Sequence, residues 1–268
     1  MSDAPIITLL SDFGNNDEYV GVMKGVILQH CPAALPVDIC HSLPPQDIGA
    51  AARMLAASFP FFPRQSIHLA VVDPGVGTAR HILILQTTEH MFIAPDNGLL
   101  TPVLQAQNLM HCHAVPPKLQ NAASTTFHGR DIMAPLAGKL ASGITAAELA
   151  MEISVEQCVV LDPPAVEIGS EQIIGEIVGI DYFGNLSTSI TAAHVKALGS
   201  TVEVAAAGLT IGALHATYDA VREGVLVALI NSRGTLEIAK NRGNAATHLG
   251  CRIGDSVVVR LLGCNSAQ

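Results

Sequence analysis

The chain has 268 residues, of which 49% are hydrophobic and 14% are charged, and its formal charge is −9. This composition supports well-packed cores, and the length favours two domains. The negative charge weighs against nucleic acid as a partner, because nucleic-acid affinity comes from clustered Lys and Arg. No segment reaches the roughly 18 apolar residues of a membrane helix, and the N-terminus lacks a secretory signal. We therefore expect a cytoplasmic protein without a membrane partner.

The cysteines and histidines give no indication of a metal site. Six cysteines are present, and no two of them form a C-x-x-C pair, which speaks against a structural zinc site and a disulfide framework. The 11 histidines include no H-E-x-x-H or similarly tight ligand spacing. We therefore expect free thiols and no bound metal.

The N-terminal segments alternate between strand and helix patterns. Residues 5–10, Pro-Ile-Ile-Thr-Leu-Leu, read as a strand that precedes the turn Ser-Asp-Phe-Gly, and residues 17–31 have apolar side chains at helical spacing. A short strand at 36–40 and an alanine-rich helix at 47–58 follow. This order predicts an α/β domain, a Rossmann-like sheet with flanking helices and polar turns at one end.

The segment 67–80 is the first candidate for a functional site. Residues 67–72 read as a buried strand that ends at Asp73 and continues through a Pro-Gly-Val-Gly turn to Arg80. Chemistry in α/β proteins is concentrated at this carboxyl edge of the sheet. The turn lacks the third glycine of G-x-G-x-x-G and the Gly-Lys-Ser/Thr ending of a P-loop, so a nucleotide-phosphate site is disfavoured. In isolation, the motif is also typical of a capped turn with a solvated arginine.

A second candidate segment follows two short strands at 81–86 and 91–94. Residues 127–131, Phe-His-Gly-Arg-Asp, place an imidazole, a guanidinium and a carboxylate at the start of a predicted helix. If His128 meets Asp73 and Arg80, the three side chains can hold and polarise a water molecule. The alternative is a helix cap with a structural histidine.

Beyond the Asp-Pro-Pro segment at 162–164, short β-rich runs dominate. They predict an all-β, barrel-like domain, and we place the domains at 1–162 and 163–268. The turn at 181–185, Asp-Tyr-Phe-Gly-Asn, combines aromatic rings with an amide, which suits a flat heterocycle. Such residues are equally common in plain turns.

Taken together, these segments resemble the S-adenosyl-L-methionine (SAM) hydrolase (adenosine-forming) family, also called SAM hydroxide adenosyltransferases, which is related to fluorinase and chlorinase. The matching segments run in order over nearly the whole chain: 11–14, 72–77 with Arg80, 94–98, 127–131, 181–185, and 231–234 with 241–243. The resemblance implies a homotrimer in which SAM lies between the N-terminal domain of one subunit and the C-terminal barrel of its neighbour.

The resemblance also implies a reaction and a set of site residues. Water or hydroxide would attack C5′ of SAM, with Asp73, Arg80 and His128 around the nucleophile and no cofactor, because SAM is the substrate. Either His128 or Asp73 would take the proton. The implied substrate-binding residues are Asp12 for the ribose, Phe183 and Asn185 for the nucleoside or methionine pocket, and Ser232 and Arg233 for the methionine end. Asn97 and Asp181 are also implied as substrate-binding residues.

Three alternatives stay open at the level of sequence. A metal-dependent phosphohydrolase would use the acids and the imidazole of the N-terminal domain: Asp12, Asp73, Asp96, His128 and Asp131. A module that binds SAM or adenosine without turnover would use its cluster of polar side chains only to position the ligand. A SAM halogenase is disfavoured, because that branch is expected to lack the Asp, Arg and His set and to carry an extra N-terminal loop.

Overall fold

The computed structural model of the chain describes residues 4–106, 108–116, 124–199 and 201–262. Its backbone divides between Leu161 and Asp162 into two compact units. The N-terminal unit has a hydrophobic cluster on each face of its sheet, and the C-terminal unit has a third cluster of its own.

The N-terminal unit is an α/β domain. Its strands are β1 (Ile6–Ser11), β2 (Leu35–Cys40), β3 (Ile67–Val71), β4 (Ile82–Thr87), β5 (Met91–Pro95), β6 (Leu109–Ala114) and β7 (Met151–Glu152). Its helices are α1 (Tyr19–His30), α2 (Ile48–Ser58), α3 (Thr101–Leu104), α4 (Ala134–Ala141) and α5 (Ala146–Leu149). A π-helical turn, Gly129–Met133, precedes α4, and short 3₁₀ turns lie at Phe59–Phe61 and Val155–Gln157.

The sheet of this domain is mixed, with strand order β2-β1-β3-β5-β4-β6-β7. The pairings from β2 through β5 are parallel, and those from β5 through β7 are antiparallel. The chain passes from β1 to β2 on one side of β1 and returns to β3 on the other. Such a reversal leaves a crevice at the carboxyl ends of the strands, where α/β proteins bind ligands. The predicted Rossmann-like α/β domain is confirmed.

Alternation along the strands places helices on both faces of the sheet. Ile7 and Leu9 of β1 pack in the same cluster as Ile27 of α1, whereas Leu10 packs in the cluster that contains Leu55 of α2. Successive residues of a strand point to opposite faces, so a strand covered on both sides is apolar throughout. This explains why β1 reads as a continuous apolar run.

The C-terminal unit is a closed barrel. Its strands are β8 (Val166–Ile168), β9 (Gln172–Ile180), β10 (Leu186–Thr191), β11 (Val202–Ala206), β12 (Leu209–His215), β13 (Leu226–Ile230), β14 (Thr235–Lys240) and β15 (Ser256–Leu261). The helices α6 (Ala192–Leu198) and α7 (Ala245–Leu249) and a 3₁₀ turn, Tyr218–Ala220, lie between strands. Seven strands close through the pairing of β10 with β9, and β8 adds to β9. The predicted barrel-like domain is confirmed.

Several elements are absent from the predicted pattern. Strands β6 and β12 are not predicted by their sequence pattern, because β6 carries two histidines and a cysteine and β12 is partly exposed and interrupted by Gly212. The sequence pattern also does not predict α7, which begins where Asn244 Oδ1 accepts a hydrogen bond from Thr247 N at 2.7 Å. Asparagine is common both in turns and at helix N-termini, so the sequence alone does not distinguish the two roles.

Two expectations from composition bear on the described part of the chain. The five cysteines found there are free thiols, and Cys264 lies outside the described residues. Within those same residues, no helix combines the length and the apolar character required to cross a membrane.

Two histidines are enclosed in the N-terminal domain beside Phe92. The Nδ1 atom of His68 and the hydroxyl oxygen of Thr8 share a hydrogen bond of 2.8 Å. Burial lowers the pKa of His68 to about 3 and also lowers the pKa of His90. Both rings are therefore neutral in the folded protein at pH 7.

The burial of His68 makes stability depend on pH. In the unfolded chain this histidine protonates near its ordinary pKa of 6.5, so below that pH the unfolded state binds more protons. The free energy of unfolding should fall as the pH drops from 6.5 toward 3, by up to about 1.4 kcal/mol per pH unit for this group. Urea unfolding at several pH values measures the slope. His68→Leu should have a lower free energy of unfolding at pH 7, but that free energy should fall less between pH 6.5 and 4.5 than in the wild type. The same pH dependence in both proteins would contradict the lowered pKa of His68.

Candidate active site

The turn after β3 brings the guanidinium of Arg80 onto the carboxylate of Asp73. Arg80 Nε donates to Asp73 Oδ1 at 2.6 Å, and Arg80 Nη2 donates to Asp73 Oδ2. The Arg80 and Asp73 side chains are only 8% and 5% exposed. Two enclosed charges are tolerated only when they satisfy each other closely, and a bidentate arginine–carboxylate pair does so.

His128 contacts the same guanidinium from the segment before the π-helical turn. Its Nδ1 atom lies 3.0 Å from Arg80 Nη2, and the residue is 3% exposed. A guanidinium has no acceptor, so Nδ1 accepts this bond and the neutral ring carries its proton on Nε2. Burial, and then the charge of Arg80, lower the pKa of His128. The ring is therefore neutral at pH 7.

One donor atom of Arg80 is left over by these contacts. Arg80 Nη1 is buried and has no hydrogen-bond partner among the residues that the structure describes. A buried charged donor without an acceptor is costly, so this position favours an added oxygen acceptor. Water and hydroxide are the smallest molecules that meet this requirement.

A cavity of about 430 Å³ lies at the carboxyl ends of β1 and β3. This is the point where the strand order reverses, and the volume falls in the range of small-molecule sites. Asp73 and His128 line the cavity, and Asp12 lines it from the turn after β1. The other lining residues are Phe13, Tyr19, Gln46, Val71, Pro74, Val76, Thr126, Phe127 and Gly129.

Three aromatic rings form an apolar wall of the cavity. The ring centroids of Phe13, Tyr19 and Phe127 lie 5.2 to 5.8 Å apart in tilted and edge-on arrangements. The guanidinium of Arg130 lies 5.1 Å from the centroid of Phe127, within the range of a cation–π contact. The cavity thus combines a charged, hydrogen-bonding end with an apolar surface.

Two glycines allow the segment that carries His128 to lie close to β3. Gly77 has a φ of +79°, and a Cβ at this position would overlap the carbonyl oxygen of Thr125. A Cβ at Gly129, the first residue of the π-helical turn, would lie 3.2 Å from Met23 Sδ. A side chain at Gly77 would push the segment before His128 away from the turn after β3, whereas one at Gly129 would require the Met23 and Phe127 side chains to shift by a few tenths of an ångström. The π-helical turn itself is a feature that is frequent at functional sites.

Comparison with known proteins supports the same interpretation of the chain. Residues 7–150 match the model of the SAM hydroxide adenosyltransferase N-terminal domain, and residues 175–258 match that of the C-terminal domain. The chain belongs to the SAM hydroxide adenosyltransferase family.

Relatives within this family cover nearly the whole chain. The (R)-S-adenosyl-L-methionine hydrolase of Thermus thermophilus is 38% identical over 265 residues, covering 96% of this chain and 99% of that protein. The crystal structure of an uncharacterized conserved protein from Thermotoga maritima has a TM-score of 0.86 at 33% identity, covering 95% and 99% of the two chains.

A halogenase relative is more distant. The fluorinase of Nocardia brasiliensis is 26% identical over 291 residues, covering 96% of this chain and 97% of that protein. This alignment is longer than the present chain of 268 residues, so the fluorinase contains residues that this family member lacks.

Of the two substrate-binding residues predicted in the N-terminal domain, Asp12 lines the cavity and Asn97 does not. The Oδ2 atom of Asp12 accepts a hydrogen bond from Gln46 N at 2.8 Å. The Nδ2 atom of Asn97 donates to Val72 O at 2.9 Å and its Oδ1 accepts from Leu99 N at 3.2 Å, so it ties the turn after β5 to the end of β3.

The barrel residues predicted for the nucleoside share one turn between β9 and β10. Asp181 Oδ1 accepts from the backbone N–H groups of Phe183 and Asn185 at 2.9 and 2.8 Å, and Asp181 Oδ2 accepts from Asn185 Nδ2 at 2.9 Å. The Phe183 ring is 71% exposed and its neighbour Tyr182 is 97% exposed. The carboxylate thus holds the turn, and the turn presents two aromatic rings outward.

Ser232 and Arg233 lie in a different turn, between β13 and β14. Asn231 Oδ1 caps this turn by accepting from Arg233 N at 3.0 Å. Leu186 pairs with Ile238 in antiparallel register, so the turn before β10 and the turn before β14 lie at opposite ends of β14. The two predicted groups are therefore separated by about the length of β14.

Some acids of the metal-based alternative have structural roles. Asp96 Oδ1 accepts from Val159 N at 2.8 Å, and Asp131 pairs with Arg130 at 2.5 Å and accepts from Ser124 N at 2.9 Å. Across the residues that the structure describes, no group of three or more His, Cys, Asp or Glu side chains is placed to hold a metal ion.

The cavity also contains residues that the sequence analysis missed. Phe13 and Phe127 stand inside motifs that were recognised, but only their neighbours were assigned a role. Gln46 carried no signal, because its left-handed backbone conformation, with a φ of +65°, is not visible in the sequence. Tyr19 was interpreted only as part of the apolar face of α1.

The contact between Arg80 and His128 has a measurable consequence. Nitrogen-15 NMR of the imidazole should show His128 titrating below pH 6.5 with its proton on Nε2 when neutral. Arg80→Met should raise the pKa of His128, because a positive charge is lost and the carboxylate of Asp73 remains. Arg242→Met, which removes an exposed barrel arginine, is the control. An unchanged pKa in the Arg80 variant would contradict the described contact.

Proposed function

We propose that this protein hydrolyses SAM to adenosine and L-methionine by attack of water or hydroxide at C5′. The observation that carries the proposal is the enclosed Asp73–Arg80–His128 set beside a cavity at the switch point of the sheet, with one guanidinium nitrogen that has no partner among the described residues. Family membership supports the same reaction, because relatives covering nearly the whole chain are named as SAM hydrolases.

The reaction needs an oriented nucleophile more than an acid. The oxygen of water forms a bond to C5′ while the C5′–S bond breaks, and the electron pair of that bond neutralises the sulfonium as the thioether of methionine. The remaining proton passes to a base and then to solvent. Because the sulfonium leaves without protonation, the barrier is lowered mainly by holding a desolvated oxygen in line with the C5′–S bond. Orientation of this kind contributes up to about 7–11 kcal/mol.

Arg80 is the group that holds the oxygen. Its Nη1 atom is the donor without a partner in the described residues, whereas Nε and Nη2 are committed to Asp73. A guanidinium stays charged at every relevant pH, so it favours hydroxide over water and cannot itself accept the proton.

Asp73 is the group we assign to the proton. The Nδ1 lone pair of His128 is used by Arg80, and the opposite ring nitrogen carries a proton, so His128 has no free acceptor in this arrangement. Each carboxylate oxygen of Asp73 accepts one bond from Arg80 and keeps a further lone pair. His128 then serves to fix the plane of the guanidinium.

The substrate-binding assignments follow from the same cavity. Asp12 keeps one carboxylate oxygen for the ribose hydroxyls while Gln46 N holds the other. For the barrel residues Asp181, Phe183, Asn185, Ser232 and Arg233 we propose that a neighbouring copy in a homotrimer supplies them. The exposure of Phe183 supports this part of the proposal. No cofactor or metal is required, and the cytoplasmic location stays a prediction.

The direct test is incubation of the purified protein with SAM. We expect equal amounts of adenosine and methionine, no 5′-chloro nucleoside when chloride is added, and unchanged turnover with EDTA. Asp73→Asn should lower kcat by about 10²-fold or more, because it removes both the proton acceptor and the charge that holds Arg80. The exposed Asp219→Asn is the matched control. Tight SAM binding without turnover, or loss of turnover with EDTA, would reject the proposal.

Sharing of sites between subunits is tested with two inactive variants. Arg80→Ala removes the N-terminal set, and Arg233→Ala removes a proposed methionine contact in the barrel. When the two variants are unfolded together and refolded as mixed oligomers, we expect recovery of about a quarter of wild-type turnover, because that share of sites combines two intact halves. Each variant refolded alone is the control. No recovery in the mixture would contradict inter-subunit sites.

A further inference from the structure

Two turns meet at the side of the cavity that carries Asp12. The first, here called the β1 turn, runs from residue 11, the last residue of β1, to residue 15, and the second, the β2 turn, spans residues 41–46 after β2. Because β1 and β2 are parallel neighbours, both turns lie at the same edge of the sheet. The way in which they are joined decides where the carboxylate of Asp12 points.

A slip in strand register sets up the contact between the turns. The pairing of β1 with β2 shifts by one residue after Leu9, so that Leu10 lies opposite Cys40. The next residues of the two strands, Ser11 and His41, are therefore neighbours. Without the slip, Ser11 would face a cysteine instead of an imidazole.

Hydrogen bonds of the β2 turn then fix the β1 turn on both sides of Asp12. His41 Nδ1 lies 2.7 Å from Ser11 Oγ, and His41 O accepts from Gly14 N at 2.7 Å. The Ser11 oxygen also accepts from Phe13 N at 3.4 Å. The carboxylate oxygen Asp38 Oδ1, 3.1 Å from His41 Nε2, favours the ring proton on Nε2, so Ser11 Oγ is the donor to His41 Nδ1. Asp12 lies between the two residues held in this way, Ser11 and Gly14.

The carboxylate of Asp12 is held from the same turn. Gln46 N donates to Asp12 Oδ2 at 2.8 Å, and Gln46 adopts a φ of +65°, which is uncommon for a residue with a side chain. Such conformations persist where the surroundings hold them, and they cluster at ligand sites. Because Gln46 N donates only to Oδ2, the other carboxylate oxygen, Oδ1, is available to accept from a ligand.

The Ser11–His41 pair resembles an activated nucleophile, but its position excludes that role. His41 Nε2 lies 3.1 Å from Asp38 Oδ1, with the ring N–H not aligned on that oxygen. Ser11 and His41 are only 2% and 5% exposed, and neither lines the cavity. A nucleophile must reach its substrate, whereas this pair reaches only the backbone that carries Asp12.

We propose that His41 is a positioning residue for SAM binding, acting through Ser11 to hold the Asp12 carboxylate toward the ribose hydroxyls. The inference rests on the proposed function, because it takes Asp12 as the ribose ligand. Its effect is on affinity for the substrate, since the Asp73–Arg80–His128 set is built on other elements.

The test compares His41→Leu with a matched variant. His41→Leu should raise KM for SAM by about three- to tenfold, the cost of one lost buried hydrogen bond, and change kcat less than twofold. His41→Asn, whose amide oxygen can accept from Ser11 Oγ, should restore KM to within twofold. The control is His68→Leu, which removes the same type of bond, from Thr8 of the same strand, and should lower stability without raising KM.

A double-mutant cycle separates positioning from a general loss of stability. In an Asp12→Ala background, His41→Leu should raise KM no further, because there is no carboxylate left to position. Additive effects of the two substitutions would overturn the proposal. Ser11→Ala removes the same bond with a smaller change in volume and replaces His41→Leu if that variant does not fold.

The outcomes distinguish a failure of the proposed function from a failure of the positioning role of His41. If the wild-type protein releases no adenosine from SAM, the proposed function fails and the role of His41 in it fails too. If wild-type turnover is present but KM of His41→Leu equals that of His68→Leu, the proposed function stands and the positioning role is wrong.

Discussion

The buried ion pair between Asp73 and Arg80 is the constraint on which the rest of the site depends. Two charges removed from water are stable only with full partners, so the turn after β3 must present the guanidinium to both carboxylate oxygens. That geometry uses the Nε and Nη2 donors of Arg80, and Nη2 donates a further hydrogen bond to His128 Nδ1. What remains is one buried donor, Nη1, which is held in a fixed direction and has no partner in the described part of the chain. Structural pairing and catalytic potential are thus two consequences of one arrangement.

The sheet places the Asp73 side of this pair at a cavity that a substrate can enter. The reversal of strand order around β1 brings the turn after β1 and the turn after β3 to one crevice, so Asp12 and Asp73 line the same cavity. Gly77 allows the segment before His128 to approach the turn after β3 without a clash. The register slip between β1 and β2 adds a second level of control, because it chooses His41 as the neighbour of Ser11. The proposed ribose contact of Asp12 is therefore supported by β1 and β2, whereas the Asp73–Arg80 pair is supported by the turn after β3.

Much of this could be predicted from the sequence, since continuous apolar runs such as the one before Asp73 fix buried strands and place their polar ends at one edge. The meeting of Arg80 with His128 depended on family resemblance, because 48 residues separate them and no local pattern joins them. The left-handed backbone of Gln46, the register slip and the local bonds of Asn97 and Asp181 were not predictable. Each of them is decided by tertiary contacts, and the same residue types are equally common in turns that bind nothing.

The central claim is that an oxygen held by Arg80 attacks C5′ of SAM. Isotopic labelling tests it most directly: SAM is incubated with the protein in water enriched in oxygen-18, and both products are analysed by mass spectrometry. We expect one labelled oxygen in the 5′-hydroxyl of adenosine and none in methionine. Label in the amino-acid product, or release of methylthioadenosine instead of adenosine, would mean that another bond is broken and would contradict the account.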